Sequence, residues 1–234
     1  MTNKAMSREI KQQLLEFYND YLTDRRKARF EEVIKYRTRY ITVVLEDVFQ
    51  SHNASAVLRS CDLTGIQDIH AIENRNEYDV NTEIDMGSSK WLNLYRYNQK
   101  KHNTLDAYQK LKKEGYRIIA TTPHKNDFTP ENLPLEGKFA LVFGTELTGL
   151  SDIAIEQADE FLRIPMVGFT ESYNISVSAA LSVYTLSERL RKSNIPWQLS
   201  TEEREDILLE WARRSVRSSE NLEHEFFKRI SVKK

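Results

Sequence analysis

The segment Gly144-Thr145-Glu146-Leu147-Thr148-Gly149 puts one acid inside a glycine-bracketed turn, directly after the apolar run Phe139-Ala140-Leu141-Val142-Phe143. Ligands of open α/β sheets bind at the carboxyl ends of the strands, where such a turn would lie. The GxxxxG spacing is that of a phosphate loop. Leu150 and Ser151 follow, however, where a phosphate loop places its lysine, and Glu146 would repel a triphosphate. Two further stretches are too irregular for plain core. Residues 52–62 follow a β-branched run, with Asn53 suited to cap a helix and Arg59 in the second turn of an otherwise small, apolar helix. Residues 164–180 lead from a strand end and a proline through a polar loop holding Ser172 and Asn174 into a Ser- and Asn-rich helix start. Each feature taken alone has an ordinary counterpart: a solvated arginine, a strand-to-helix loop, residues that only cap.

Other chemistries find no support. No GxGxxG follows a strand, so a dinucleotide site is unsupported. His52, His70, His102, His124 and His224 are scattered, with no HExxH and no cysteine pair, so no metal site is expected. Cys61, between Leu58 and Leu63, reads as a buried structural thiol, and no serine stands in a G-x-S-x-G elbow.

The elements that must position these residues alternate. Short strands are expected at 41–45, 66–72, 117–121, 139–143 and 161–164, with helices at 54–64, 104–114 and 151–158. This pattern argues for an α/β domain on a parallel sheet. Residues 123–137, with Pro123, Pro130, Pro134 and Gly137, read as a surface loop. A long helix is expected from Ile175 to about Lys192, ended by Asn194-Ile195-Pro196. Helical stretches at 7–37, 200–214 and 220–230 flank the domain, giving three segments: 1–40, 41–193 and 194–234.

Composition agrees with a soluble chain: of 234 residues, 40% are apolar and 29% charged. The polar start and single cysteine lead us to expect a cytoplasmic protein with no signal peptide, membrane span or disulfide. Net charge is −1, but residues 1–40 carry +4, residues 187–234 carry +2 and the middle carries −7. Basic ends around an acidic centre fit either solvated helices or contacts to an anionic partner.

Taken together and in order, the three stretches resemble the signature motifs of the SpoU-type 2′-O-methyltransferases of the SPOUT superfamily. The matches are N-x-x-A-x-x-R at 53–59, F-G-x-E-x-x-G at 143–149 and I-P-M-x-G-x-x-x-S-x-N-x-S at 164–176. The resemblance spans 41–190, roughly two thirds of the chain. Within the family it is nearest to the TrmH branch, which methylates guanosine 18 of tRNA and carries short helical extensions at both ends. Enzymes acting on rRNA or on another tRNA position share the catalytic motifs, and a non-catalytic RNA-binding protein is the alternative from another class.

The resemblance implies a parallel-sheet SPOUT fold with a carboxy-terminal trefoil knot, S-adenosylmethionine as cofactor, tRNA as partner, a homodimer and no metal. It assigns cofactor contacts to Thr121, Gly144, Ile164, Met166 and Tyr173, the last a departure from the usual leucine. It assigns catalytic roles to Arg59, Asn53, Glu146, Ser172 and Asn174. A guanidinium with a pKa above about 12 hardly acts as a base. We therefore expect Arg59 to orient the ribose hydroxyl and a neighbouring phosphate, with proton removal involving that phosphate. Asn53 and Asn174 are expected to shape the pocket and Ser172 to support its loop. An apolar stripe of Ala179, Ala180, Leu181, Val183 and Tyr184 is offered to a second copy. Arg8, Lys11, Arg25, Arg26, Lys27, Arg29, Arg213, Arg214 and Arg217 are the expected phosphate contacts, which would make tRNA binding weaken steeply with salt.

Overall fold

The structure, a computed structural model, describes residues 6–48, 50–79, 81–125 and 127–232. The first five residues of the polar start and the last two lysines lie outside them. In chain order the elements are α1 (Arg8–Asn19), α2 (Asp24–Val33), β1 (Ile41–Glu46), α3 (Ser51–Thr64), β2 (Asp68–Ile72), α4 (Thr82–Asp85), β3 (Asn93–Tyr97), α5 (Thr104–Lys113), β4 (Arg117–Thr121), β5 (Phe139–Phe143), α6 (Asp152–Glu156), β6 (Glu160–Leu162), α7 (Ile175–Lys192), α8 (Thr201–Ser215) and α9 (Ser219–Val232). Two compact units result: Thr38–Trp197, and Met1–Arg37 together with Gln198–Lys234. The two flanking segments, read separately in the sequence, thus belong to one unit, and the boundaries fall a few residues from 40 and 193.

In the larger unit six parallel strands lie in the order β3-β2-β1-β5-β4-β6. Side chains alternate across β1: Ile41, Val43 and Leu45 join one core cluster and Val44 the other. The first cluster holds Val57, Leu58 and Cys61 of α3 with Ala179, Val183 and Leu186 of α7. The second holds Ala107, Tyr108 and Leu111 of α5 with Ala154 of α6. The helix after β1 therefore covers one face and the helix after β5 the other. Because β1 and β5 are neighbours, their carboxyl ends flank a topological switch point, the place where ligands enter such sheets.

The strand end at β1 is held by charge. Glu46 is buried and accepts from Thr104 Oγ1 at 2.6 Å, Ser151 Oγ at 2.8 Å and Ser151 N at 2.9 Å. Asp47 follows in the left-handed region at φ 54°, and its carboxylate accepts the backbone N–H groups of Asn74 (2.6 Å) and Arg75 (2.8 Å). One acidic pair thereby fixes the start of α6 and the turn after β2. Helix α3 ends at Gly65, whose φ of 83° lets Ile66 N bond back to Cys61 O.

The smaller unit packs Leu14 and Tyr18 of α1 with Phe30 of α2 and Trp211 of α8, the Phe30 and Trp211 rings 5.4 Å apart. The Arg37 guanidinium lies 5.3 Å from the Trp211 ring. Ser200 and Glu203 close a capping box at the start of α8.

Candidate active site

Asn174 is the N-cap of α7, its Oδ1 accepting from Ser176 N at 2.8 Å and from Ser176 Oγ. Those bonds turn its amide nitrogen away from the helix. It donates to Glu146 Oε1 and, at 3.2 Å, to Asn53 Oδ1. Asn53 Nδ2 in turn donates to the same Glu146 oxygen at 2.9 Å and to Gln50 Oε1 at 2.9 Å. One residue from each of the three sequence stretches thus meets at a single carboxylate. Asn53 does this because it is not the cap expected for it: α3 starts at Ser51, Gln50 precedes it, and Asn53 sits within the first turn with its side chain left for the site.

The turn that carries Glu146 is closed on itself. Thr145 and Gly149 exchange both backbone hydrogen bonds at 3.0 Å, and Thr148 N donates to Thr145 Oγ1 at 3.1 Å. A Cβ at Gly144 would lie 2.3 Å from the carbonyl carbon of Gly149, so only glycine permits this closure. Gly149 itself has a φ of 68°.

Two clefts share this turn as a wall. One, of about 370 Å³, is lined by Thr121, Gly144, Ile164, Met166 and Tyr173, with Ser172 beside them. All five residues that the resemblance assigned to the cofactor therefore face one space. Its size falls in the roughly 300–1,000 Å³ range of small-molecule sites. Thr121 Oγ1 is held by Val142 O at 2.7 Å, tying the floor of the cleft to β5. The other cleft, about 750 Å³, is lined by Gln50, Asn53, Asn74, Arg75, Asn76, His102 and Asp152, with Glu146 again on the shared wall.

The SpoU rRNA Methylase family matches residues 40–184. The chain belongs to the SpoU methylase family. It is 44% identical to a tRNA (guanosine(18)-2′-O)-methyltransferase of Borreliella burgdorferi, across 87% of this chain and 92% of the relative. An enzyme of the same name from Thermus thermophilus is 32% identical over 82% of this chain and 98% of its own length. Among solved structures, the A. aeolicus TrmH/SpoU tRNA modifying enzyme superposes with a TM-score of 0.74 at 28% identity, covering 82% of this chain and 98% of that one.

Not every motif residue of this SpoU methylase joins the network. Arg59 is exposed on α3, lines neither cleft and forms no ion pair among the described residues. Ser172 is exposed and makes no side-chain hydrogen bond among the described residues, whereas Ser176, the last residue of the third motif and given no role in the sequence analysis, holds Asn174. Gln50, Glu46, Asp47 and Asp152 were also missed; a strand end followed by two acids was the one visible signal. His70 is packing: burial, with Lys110 nearby, lowers its pKa to about 3, and Tyr95 stacks on it at 4.9 Å.

The flanking cations divide. Lys11 is buried and paired with Asp206 at 2.7 Å, and Arg213 is held by Glu210 and Glu223. Both sets of ion pairs lie within the smaller unit. Arg8 is exposed but bidentate on Glu205. Lys27 pairs with Asp24, Arg29 with Glu32 and Arg214 with Glu210, each within one turn of its own helix. Arg25, Arg26 and Arg217 are exposed. The expected stripe on α7 also splits, since Ala179 and Val183 are buried against α3 while Leu181 and Tyr184 face outward.

Proposed function

We propose that this SpoU methylase transfers a methyl group from S-adenosylmethionine to the 2′-hydroxyl of guanosine 18 in tRNA. The observation that carries this reading is the meeting of Asn53, Glu146 and Asn174 at the wall between two clefts, one lined by all five cofactor-assigned residues. Relatives named for that activity in several bacteria support the target.

Bound S-adenosylmethionine supplies a methyl on a sulfonium, a leaving group good enough that no metal is required. Thr121, Gly144, Ile164, Met166 and Tyr173 hold the cofactor. Glu146, fixed by two asparagine amides, is an acceptor-only group suited to a ribose hydroxyl and not to a phosphate. Arg59 orients the attacking hydroxyl and the adjacent phosphate, which takes part in removing the proton. Exposed cations of the smaller unit, Arg25, Arg26 and Arg217 among them, supply phosphate contacts to tRNA in the cytoplasm. No helix among the described residues is long and apolar enough to cross a membrane. The threading of the carboxy-terminal part of the sheet domain into a trefoil knot belongs to the same reading.

The enzyme works as a homodimer. Val177, Leu181 and Tyr184 form an exposed apolar stripe at helical spacing on α7, and Val167, Phe169 and Tyr173 lie exposed on the preceding loop. A site completed across two copies accounts for Arg59 lying outside both clefts of its own chain. Sedimentation equilibrium is expected to give twice the chain mass for the wild type and the chain mass for Leu181→Glu/Tyr184→Glu, with methyl transfer lost in the latter. An active monomer would remove the dimer from the reading.

The function itself is tested with labelled S-adenosylmethionine and unmodified tRNA transcripts, followed by mapping of the product. Label as 2′-O-methylguanosine at position 18 is the expected result. Label at another tRNA position or in rRNA would retain the chemistry and overturn the target. Transfer to no RNA would overturn both.

A further inference from the structure

The larger cleft has a composition the cofactor does not explain. Its acids are Glu46, Asp47, Glu146 and Asp152. Glu46 and Asp47 are buried and occupied by Thr104, Ser151, Asn74 and Arg75, and Glu146 is engaged by Asn53 and Asn174. Asp152 alone among them is exposed with a side chain that makes no hydrogen bond or ion pair among the described residues. Its position is nonetheless fixed, because its neighbour Ser151 is held at both N and Oγ by buried Glu46. Beside it are apolar side chains that a folded protein usually covers: Leu147, 98% exposed, and Ile153, 36% exposed, both lining the cleft. Arg75, exposed and on the same lining, supplies a positive charge, and His102 lies beside it on that lining.

An apolar shelf, a free carboxylate, a guanidinium and the Glu146 wall proposed for the ribose together match the parts of one nucleotide. We infer that the larger cleft receives the target nucleoside with its base on Leu147 and Ile153, and that Asp152 reads the base as guanine. The inference rests on the proposed methylation of guanosine 18. A carboxylate accepts hydrogen bonds and donates none. Guanine alone among the four bases presents two adjacent donors, N1–H and the exocyclic amine, on its Watson–Crick edge, the edge by which extruded bases are read. Adenine turns the N1 lone pair toward the same carboxylate and is repelled. Arg75 takes the nucleotide's phosphate, its backbone held by Asp47.

The test uses the full-length protein and its Asp152→Asn variant, with tRNA transcripts carrying guanosine or adenosine at position 18. The carboxamide that Asp152→Asn introduces can donate to adenine N1, so the guanosine-over-adenosine ratio in kcat/KM is expected to fall by about tenfold or more. The affinity for S-adenosylmethionine, measured by calorimetry, is expected to stay unchanged. Asp152 is exposed, so the substitution leaves folding intact, and a matching melting temperature verifies it. An unchanged ratio, with wild type labelling guanosine 18, overturns the role of Asp152 and spares the proposed function. Wild-type labelling of a different guanosine overturns the position-18 target, and the same substitution pair made at that site then decides Asp152. Labelling of a nucleotide other than guanosine overturns both.

Discussion

Arg59→Ala is expected to lower methyl transfer by about 10²–10³-fold, the usual cost of removing one donor aimed at developing negative charge. Cofactor affinity is expected to hold, because Arg59 lines neither cleft. Single-turnover rates with saturating tRNA, set beside calorimetric Kd values for S-adenosylmethionine, separate the two effects. Equal loss of both would show that Arg59 supports the fold and does not serve the reacting hydroxyl. Exposure on α3 makes that outcome easy to recognise, since a structural role would also lower the melting temperature. The position of Arg59 outside its own clefts adds a sharper expectation. Arg59→Ala subunits mixed with subunits that cannot bind cofactor should regain about a quarter of wild-type activity, through mixed dimers with one complete site. Recovery of none would place Arg59 on its own chain's site.

Gly144→Ala, used at S-adenosylmethionine concentrations well below its raised Kd, supplies the cofactor-deficient subunit for that mixture and is the second large effect. The added methyl would meet Gly149 and Leu150 backbone atoms at 2.3–2.4 Å, and backbone cannot swing aside as a flexible side chain does. Relief requires opening the Thr145–Gly149 pair of hydrogen bonds, which displaces the wall of the cofactor cleft. The Kd for S-adenosylmethionine is therefore expected to rise at least about tenfold, with about 1–3 kcal/mol of stability lost as in other overpacked sites. Calorimetry and thermal melts read the two quantities independently. An unchanged Kd would mean that this turn does not bound the cofactor.

Legibility in the sequence followed how local each determinant is. The strands at Arg117–Thr121 and Phe139–Phe143 and the helix Ile175–Lys192 stand where their apolar runs and stop signals put them. Strand β3 was missed because Asn93-Leu94-Tyr95-Arg96-Tyr97 has no continuous apolar run; its alternating half-buried and exposed residues are strand only through pairing with β2 at the sheet edge. Local pattern reads Asn53 as a helix cap and only the family resemblance places it in the pocket, because the carboxylate it meets lies 93 residues away. Glu46 lies just past the expected strand 41–45 with no local signal of burial, and its partners Thr104 and Ser151 lie 58 and 105 residues on. The three motif segments were readable as a set, but that Asn53, Glu146 and Asn174 meet while Arg59 and Ser172 stay outside their network was not. That was fixed by the sheet order, which sets β1 beside β5.

The wall formed by residues 145–150 has a cleft on each side, and Glu146 and Leu147 line both. Such a partition cannot shift toward one occupant without altering the space left for the other. With the methyl donor and RNA in these clefts as proposed, the two binding equilibria would be linked, and linkage is reciprocal: whatever factor the methyl donor imposes on RNA affinity, RNA imposes on the donor. Transfer of the methyl group changes the charge of the occupant on one side of the partition and the bulk of the occupant on the other. With the reactants placed in the two clefts as proposed, the same six residues would also time the departure of the products.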